Sequence, residues 1–292
     1  MHENPGGKGI VLAGGLGKRL YPLTLAVSKQ LMPVYDKPMI YYPITTLMLA
    51  GIRDFLLITT PHDEEMFKRL LGDGSQWGIS ISFATQSEPN GIAEAFVIGR
   101  DFISSDHVAL VLGDNIFHGD GLGRRLSELP GRKGATVFAL EVASPERYGV
   151  IEFDRKGHAV AISEKPKKPK SKYAIPGLYF YDNRVLEIAE GLKPSARGEL
   201  EITDINIAYL DSAELHVESL GPGVTWFDAG TPDSLLEASE FIRILEQGKS
   251  TLIGSPEEVA WRLGYITDQQ LLVQATRVQD SKYGHHLFGM RK

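Results

Sequence analysis

A chain of 292 residues, 42% hydrophobic and 23% charged, is long enough to bury a full core and lies near the upper size of one domain. Its 31 basic and 37 acidic residues leave a net charge of -6, which excludes the broad basic stripe of a nucleic-acid binder and allows only local positive charge. The absence of cysteine excludes disulfides, thiolate metal sites and a thiol nucleophile, so a metal must be held by oxygen or histidine.

The start, MHENPGGKG, is polar and glycine-rich, and no apolar run approaches the roughly 20 residues that span a bilayer. A cytoplasmic protein with no membrane contact is expected. Lys8 to Leu12 then reads as a strand, Pro38 to Ala50 as a helix closed by Gly51, and Phe55 to Thr60 as a buried strand. Helix Glu64 to Leu71, strand Ile79 to Ala84, helix Ile92 to Phe102 and strand Val108 to Leu112 keep the same rhythm. Such alternation predicts a largely parallel α/β sheet, whose ligands bind outside the carboxyl ends of the strands. Ala13 to Arg19, Gln86 to Gly91 and Gly113 to Asn115 all fall where that rule puts a site.

From Ala135 the pattern turns to strands with fewer helices: Ala135 to Glu141, Val150 to Phe153, Ala159 to Glu164 and Tyr173 to Tyr181. This predicts a substrate-side insertion on the same sheet. Lys165 to Lys172, KPKKPKSK, reads as a solvated Pro/Lys loop, except that Lys165 directly follows the strand bearing Glu164. Helices Pro256 to Leu263 and Asp268 to Val278 are expected in the tail. The organisation expected is one α/β domain over 1–248, with a nucleotide-binding part near 8–134 and a sugar-phosphate part near 135–230, followed by a helical extension over 249–292. No hexapeptide or longer repeat is visible, which excludes a β-helical second domain.

The glycine turn after the first strand is suited to phosphate, because glycines let backbone N–H groups approach oxygens that a guanidinium can also grip. Counted from Gly15 and Gly17, the third glycine of a dinucleotide fingerprint is replaced by Leu20. Counted back from Gly17 and Lys18, a P-loop finds Leu12 at its first position and Arg19 where a hydroxyl should bind magnesium. Neither motif is complete, and an ordinary βα turn with exposed basic residues would produce the same pattern.

GGLGKRLYPLT followed by SKQLMPVYDKPMIYYP closely resembles the signature of the sugar-1-phosphate nucleotidylyltransferases, and within them the short glucose-1-phosphate thymidylyltransferases. The likeness continues through TPHDEE, LLGDGSQWG, VLGDNIFHG, SPERYGV, SEKPKKPKSKYAIPGLYFYDN, ARGELEITDIN, FDAGTPDSLLEA and SPEEVAWRLG. It implies a Rossmann-like nucleotidyltransferase fold and the reaction of dTTP with α-D-glucose 1-phosphate to give dTDP-glucose and pyrophosphate. That reaction needs no covalent enzyme nucleophile, only in-line positioning and charge neutralisation.

By the same resemblance, Asp114 and Asp228 would carry Mg2+, and Arg19 and Lys29 would hold the triphosphate. Gly14, Gly15 and Gly17 would give close backbone approach, with Gln30 lining the pocket. Lys18 stands where a threonine is usual, and Leu16 where a serine is common. Gln86 would read the pyrimidine and Gly91 would let the base lie against the backbone; a helix-entry turn explains Asn90-Gly91 equally well. Since thymine and uracil share the edge that an amide reads, uridylyl transfer stays open. Asn115, Gly149, Glu164, Lys165, Ile175, Tyr179 and Arg197 would bind the sugar phosphate, with an ion pair to Glu199 or Glu201 as the other reading of Arg197. Ser163 replaces a glutamate frequent in the family, and Tyr148 is expected to pack.

SPEEVAWRLG reads as an N-capped helix. In the family it helps form a second nucleotide site through which dTDP-rhamnose inhibits, and Glu258, Val259 and Arg262 would carry it, in a homotetramer on the way to dTDP-sugars. Rival readings are a non-catalytic nucleotide-sugar sensor, against which two metal carboxylates speak, and a nicotinamide oxidoreductase, against which the absent glycine speaks.

Overall fold

The computed structural model describes residues 7–221, 223–248 and 251–290. The polar start up to residue 6, and residues 249–250 where the extension was expected to begin, lie outside that set. The first half runs β1 (Lys8–Ala13), a small hairpin of β2 (Pro33–Val34) and β3 (Lys37–Pro38), α1 (Tyr41–Leu49), β4 (Asp54–Thr59), α2 (Glu64–Leu71), β5 (Ser80–Thr85), α3 (Glu94–Ile98), α4 (Arg100–Ile103) and β6 (Val108–Leu112). The rest adds β7 (Asn115–Gly119), α5 (Leu122–Ser127), β8 (Ala135–Glu141), β9 (Gly149–Phe153), β10 (Ala159–Glu164), β11 (Tyr173–Ile175) and β12 (Leu178–Tyr181). It continues with α6 (Val185–Gly191), α7 (Ile202–Asp211), β13 (Leu215–Ser219), β14 (Val224–Asp228) and α8 (Pro232–Gly248). Helices α9 (Pro256–Arg262), α10 (Asp268–Arg277) and α11 (Lys282–Gly289) close the chain.

One ten-stranded sheet organises these elements in the order β10-β9-β11-β8-β12-β6-β1-β4-β5, with β13 beside β8. Strands β6, β1, β4 and β5 are parallel, whereas β12 runs antiparallel to β6 and β8 antiparallel to β12. Side chains alternate across the sheet. Val11, Phe55 and Leu57 join α1, α5 and the tail helices on one face, while Ile10, Leu56 and Ile58 join α3, α6 and α7 on the other. The chain leaves β1 for β4 on one side and returns to β6 on the other. That reversal opens a crevice at the carboxyl ends of β1 and β6, the topological switch point where open α/β sheets bind ligands.

Several expected boundaries are corrected. Pro38 pairs with Pro33 in the hairpin, so the first helix begins at Tyr41. The single helix expected over Ile92 to Phe102 is two, because Gly99 leaves helical geometry at φ -85, ψ 6 between α3 and α4. The strand expected over Tyr173 to Tyr181 is interrupted at Pro176, which has no N–H for the ladder; β11 joins β9 and β8, and β12 joins β6. The part after Ala135 is β-rich as expected and adds β13 and β14 to the strands named, with α6 and α7 covering the sheet there, and the tail gains α11. Its first two helices form as expected, with Ser255 accepting from Glu258 N at 3.2 Å and Thr267 completing a capping box with Gln270. Among the described residues, no helix is long and apolar enough to cross a membrane.

Candidate active site

The glycine turn closes on itself. Gly17 O accepts from Leu20 N and from Thr24 Oγ1, both at 2.8 Å, and fully buried Leu20 anchors a single helical turn on which Lys18 and Arg19 stand exposed. Gly17 has φ +60, and a Cβ there would press on Thr24 and on Lys29, so both conformation and space require glycine. Lys29 and Gln30 follow in a second such turn and are buried. Gln30 accepts from Ser28 Oγ at 2.9 Å and packs under Gly113, supporting the turn from below.

Two carboxylates meet at the switch point. Asp114 follows the buried strand β6, and Asp228 ends β14, which pairs antiparallel with β7 so that Asp228 stands opposite Asn115. Ala229 N donates to Asp114 O at 3.0 Å, tying the two loops together. Burial alone would raise the Asp114 carboxyl, but the Lys29 ammonium bonded to Oδ2 and the Asn115 amide on Oδ1 outweigh it and hold the group below its ordinary range. Asp228 goes the other way, raised by burial and then by the neighbouring Asp114 charge; Arg147 approaches it no closer than 3.8 Å. Arg19 stands beside the same carboxylate, since a Cβ on Gly230 would lie 2.6 Å from Arg19 Nη2 and 3.0 Å from Asp228 Oδ1. An under-neutralised pair of hard oxygen ligands suits Mg2+, which takes one or two carboxylates and completes its shell with phosphate oxygens and water. Among the described residues no group of three His, Cys, Asp or Glu side chains forms a complete cage, in keeping with that pattern.

On the nucleotide side, buried Gln86 donates through Nε2 to Gly91 O at 3.0 Å and to Glu94 Oε2 at 2.7 Å. Both partners can only accept, so the amide orientation is fixed and Oε1 is the free end, turned toward Gly14. Gly91, at φ +110, abuts Leu200 so closely that a Cβ would lie 2.3 Å from its carbonyl oxygen. Its glycine is therefore required by packing as well as by the turn. Gly15 is exposed and unobstructed.

Across the switch point a cavity of about 400 Å3 runs from Arg19, Asp114 and Asp228 to Gly149, Glu164, Lys165, Ile175 and Tyr179. Gly149 stands opposite both Glu164 and Ile175 in the ladder, which brings three of the expected sugar-side residues to one spot. Glu164 Oε2 accepts from Thr203 Oγ1. Lys165 has φ +39, a left-handed conformation costly for a lysine, its N–H is pinned to Tyr148 O at 3.0 Å, and its half-exposed ammonium pairs with Glu164 Oε1 at 3.3 Å. Arg197 makes the ion pair of the alternative reading, to Glu201 through Nε at 3.0 Å and Nη2 at 2.7 Å and to Glu199 at 3.1 Å, while its Nη2 also stands 3.4 Å from Glu164 Oε1. Asn115 does not stand free: its Oδ1 accepts from Gly177 N and from Trp226 Nε1, bracing the cavity floor. Tyr148 packs edge-on against Trp226 at 4.9 Å. Arg147, Thr203 and Asn206 line the cavity without having been singled out from the sequence. Their membership of SPERYGV and ARGELEITDIN is the signal that could have drawn attention to them.

The tail residues are tied to one another. Glu258 is buried, accepting from Leu252 N at 2.8 Å, from Arg262 and from His286. Val259 is partly buried against the core, and Arg262 keeps half of its side chain exposed.

Comparison with known proteins places this geometry. A family model described as nucleotidyl transferase matches residues 8–244. A relative named glucose-1-phosphate thymidylyltransferase from Mycobacterium tuberculosis H37Rv is 58% identical over 280 residues, 96% of this chain and 97% of its own. One of the same name from Neisseria meningitidis serogroup A is 54% identical over 286 residues, 98% and 99% of the two chains. A crystal structure from Bacillus anthracis assigned to the same enzyme, in complex with sucrose, superimposes with a TM-score of 0.74 at 41% identity, over 81% of this chain and 95% of that one. Matched along most of its length by that model and by relatives of more than half identity, the chain belongs to the nucleotidyl transferase family, among the glucose-1-phosphate thymidylyltransferases.

Proposed function

We propose that the cavity carries out Mg2+-dependent transfer of a thymidylyl group from dTTP to α-D-glucose 1-phosphate, giving dTDP-glucose and pyrophosphate. One juxtaposition carries the reading: Arg19 and the Asp114–Asp228 pair form one wall of a cavity whose other wall holds Glu164 and Lys165. A sugar-phosphate oxygen forms the new bond to the α-phosphorus as the bond to the β-phosphate oxygen breaks, the electron pair leaving with pyrophosphate. Lys165 holds the attacking phosphate, and Glu164 accepts from sugar hydroxyls. Arg19 and Lys29, with the backbone of Gly14, Gly15 and Gly17, hold the triphosphate and offset the charge that grows on the departing group. Asp114 and Asp228 would hold Mg2+, which when bound would supply Lewis-acid neutralisation of the phosphate oxygens. Exposed Lys18 adds positive charge at the mouth.

Gln86 Oε1 accepts from the pyrimidine N3–H. Thymine and uracil offer the same donor, and this supports a second reading, uridylyl transfer. Pyrophosphate release from each nucleotide with glucose 1-phosphate tests both. No release with dTTP and Mg2+ would sink the first, and equal kcat/KM with UTP would sink the thymidylyl assignment. A homotetramer regulated by a dTDP-sugar end product such as dTDP-rhamnose is proposed for the same chain, the exposed Arg262 guanidinium being the group available to a phosphate. Sedimentation mass tests the assembly, and unchanged end-product inhibition in Arg262→Ala would remove the regulatory role.

A further inference from the structure

The cavity wall made by α7 holds a polar group that none of the assignments above uses. Ile202, Thr203 and Asn206 face the cavity from that helix, and Thr203 is occupied by Glu164. Asn206 is 1% exposed. Its Oδ1 accepts from the Tyr181 hydroxyl at 2.6 Å, and its Nδ2 has no hydrogen-bond partner. Burial holds that phenol protonated, so it can donate to the amide oxygen and leave the NH2 pointing away from it. A buried donor left unpaired is disfavoured by about as much as a hydrogen bond contributes, and native folds rarely keep one without a use. An isosteric leucine, combined with Tyr181→Phe, would fill the same space without that cost. The only other orphan of this kind among the described residues, Thr59 Oγ1, does not line the cavity.

The surroundings say what the donor is for. Glu164 offers an acceptor on this wall, and Tyr179, two residues before Tyr181 on β12, offers a hydroxyl. A ring hydroxyl is both donor and acceptor, so a carboxylate and an amide NH2 on one wall can satisfy a polyol where either alone could not. We propose that Asn206 Nδ2 donates to a ring-hydroxyl oxygen of the bound hexose 1-phosphate, making Asn206 a residue that selects the sugar. The proposal rests on the acceptor assigned under Proposed function. It concerns the sugar, because Gln86 and Gly91, the residues assigned to the base, do not line this cavity.

The test is a thermodynamic cycle between the protein and deoxy analogues of glucose 1-phosphate lacking the 2-, 3-, 4- or 6-hydroxyl, read as kcat/KM for pyrophosphate release at saturating dTTP. In the parent, the analogue lacking the contacted hydroxyl should lose about tenfold against glucose 1-phosphate. In Asn206→Leu that difference should collapse to within about twofold, with the penalties for the other positions unchanged. To keep a stranded phenol from confusing the result, Asn206→Leu is also made with Tyr181→Phe, which replaces both partners by apolar groups of similar shape. Tyr181→Phe alone should keep the parent pattern of discrimination. If Asn206→Leu lowers every analogue by the same factor, the residue is structural and the proposal falls while the assigned reaction stands. A parent that releases no pyrophosphate with any hexose 1-phosphate would overturn both.

Discussion

Asp228 beside the cavity and Glu257 in the tail are both largely buried acids, yet the fold surrounds them differently. Glu257 accepts from the Trp77 indole at 3.1 Å, from Ser255 Oγ at 3.3 Å and from the Tyr283 hydroxyl, so both oxygens are occupied by neighbours. Asp228 is buried beside another carboxylate, and the Arg147 guanidinium that faces it stands 3.8 Å away. The first arrangement stabilises: it locks α9 and α11 onto the Trp77 loop. The second is held at a cost, because like charges raise the carboxyl and leave it waiting for a cation. The contrast teaches that burial of an acid says little about its role until its hydrogen-bond partners are counted.

The strongest way to break this contrast is Asp228→Asn. It should lower kcat by about 10³-fold while leaving the urea midpoint at or above the parent's, because it removes repulsion rather than a bond. Loss of stability together with activity would mean that Asp228 is structural. Glu257→Ala should do the reverse, costing about 2–4 kcal/mol in urea unfolding because it strands an indole N–H and a phenol, with kcat/KM within about twofold. Gly230→Ala sits between the two. Its Cβ would displace the Arg19 guanidinium and lower kcat by about 10–100-fold with little change in unfolding, and an unaltered kcat would detach Arg19 from the chemistry.

The smallest effect concerns a third buried acid, Glu201. Burial would raise its carboxyl, but hydrogen bonds from Arg197 and Ser195 win and hold it below 4.5. A lowered carboxyl binds fewer protons folded than unfolded, so its contribution is fully present above about pH 4.5 and is lost as pH falls through the folded value. Glu201→Gln should therefore be about 1 kcal/mol less stable at pH 7 and should lose less on going from pH 5 to pH 3, read by urea unfolding at each pH. Equal slopes would refute the pair.

The parallel half was legible because its strands are continuous apolar runs separated by amphipathic helices, and the switch-point rule then located Ala13 to Arg19 and Gly113 to Asn115. The β7–β14 pair was not. NIFHG and VTWFD are short, lack a two-residue alternation, and pair across more than a hundred positions, so Asp114 and Asp228 could be joined only through family likeness. Arg147 and Asn206 lie inside SPERYGV and ARGELEITDIN but were not singled out there: one sits in a turn, the other on a mostly apolar helix, and neither position announces that it faces a cavity. Glu258 was visible as an early helix acid with Arg262 one turn on, but its contact with His286 depends on α11 folding back onto α9.

That two-stranded ladder has a consequence for when the protein can act. The parallel strands that lead into the glycine turn and Asp114 are all encoded before residue 113. The second carboxylate comes only with β14, which docks on β7 from the far end of the sequence. A ribosome-bound or truncated chain ending short of Asp228 would therefore carry the glycine turn and Asp114 without the second member of the metal pair proposed above. Transfer as proposed would have to wait for β14.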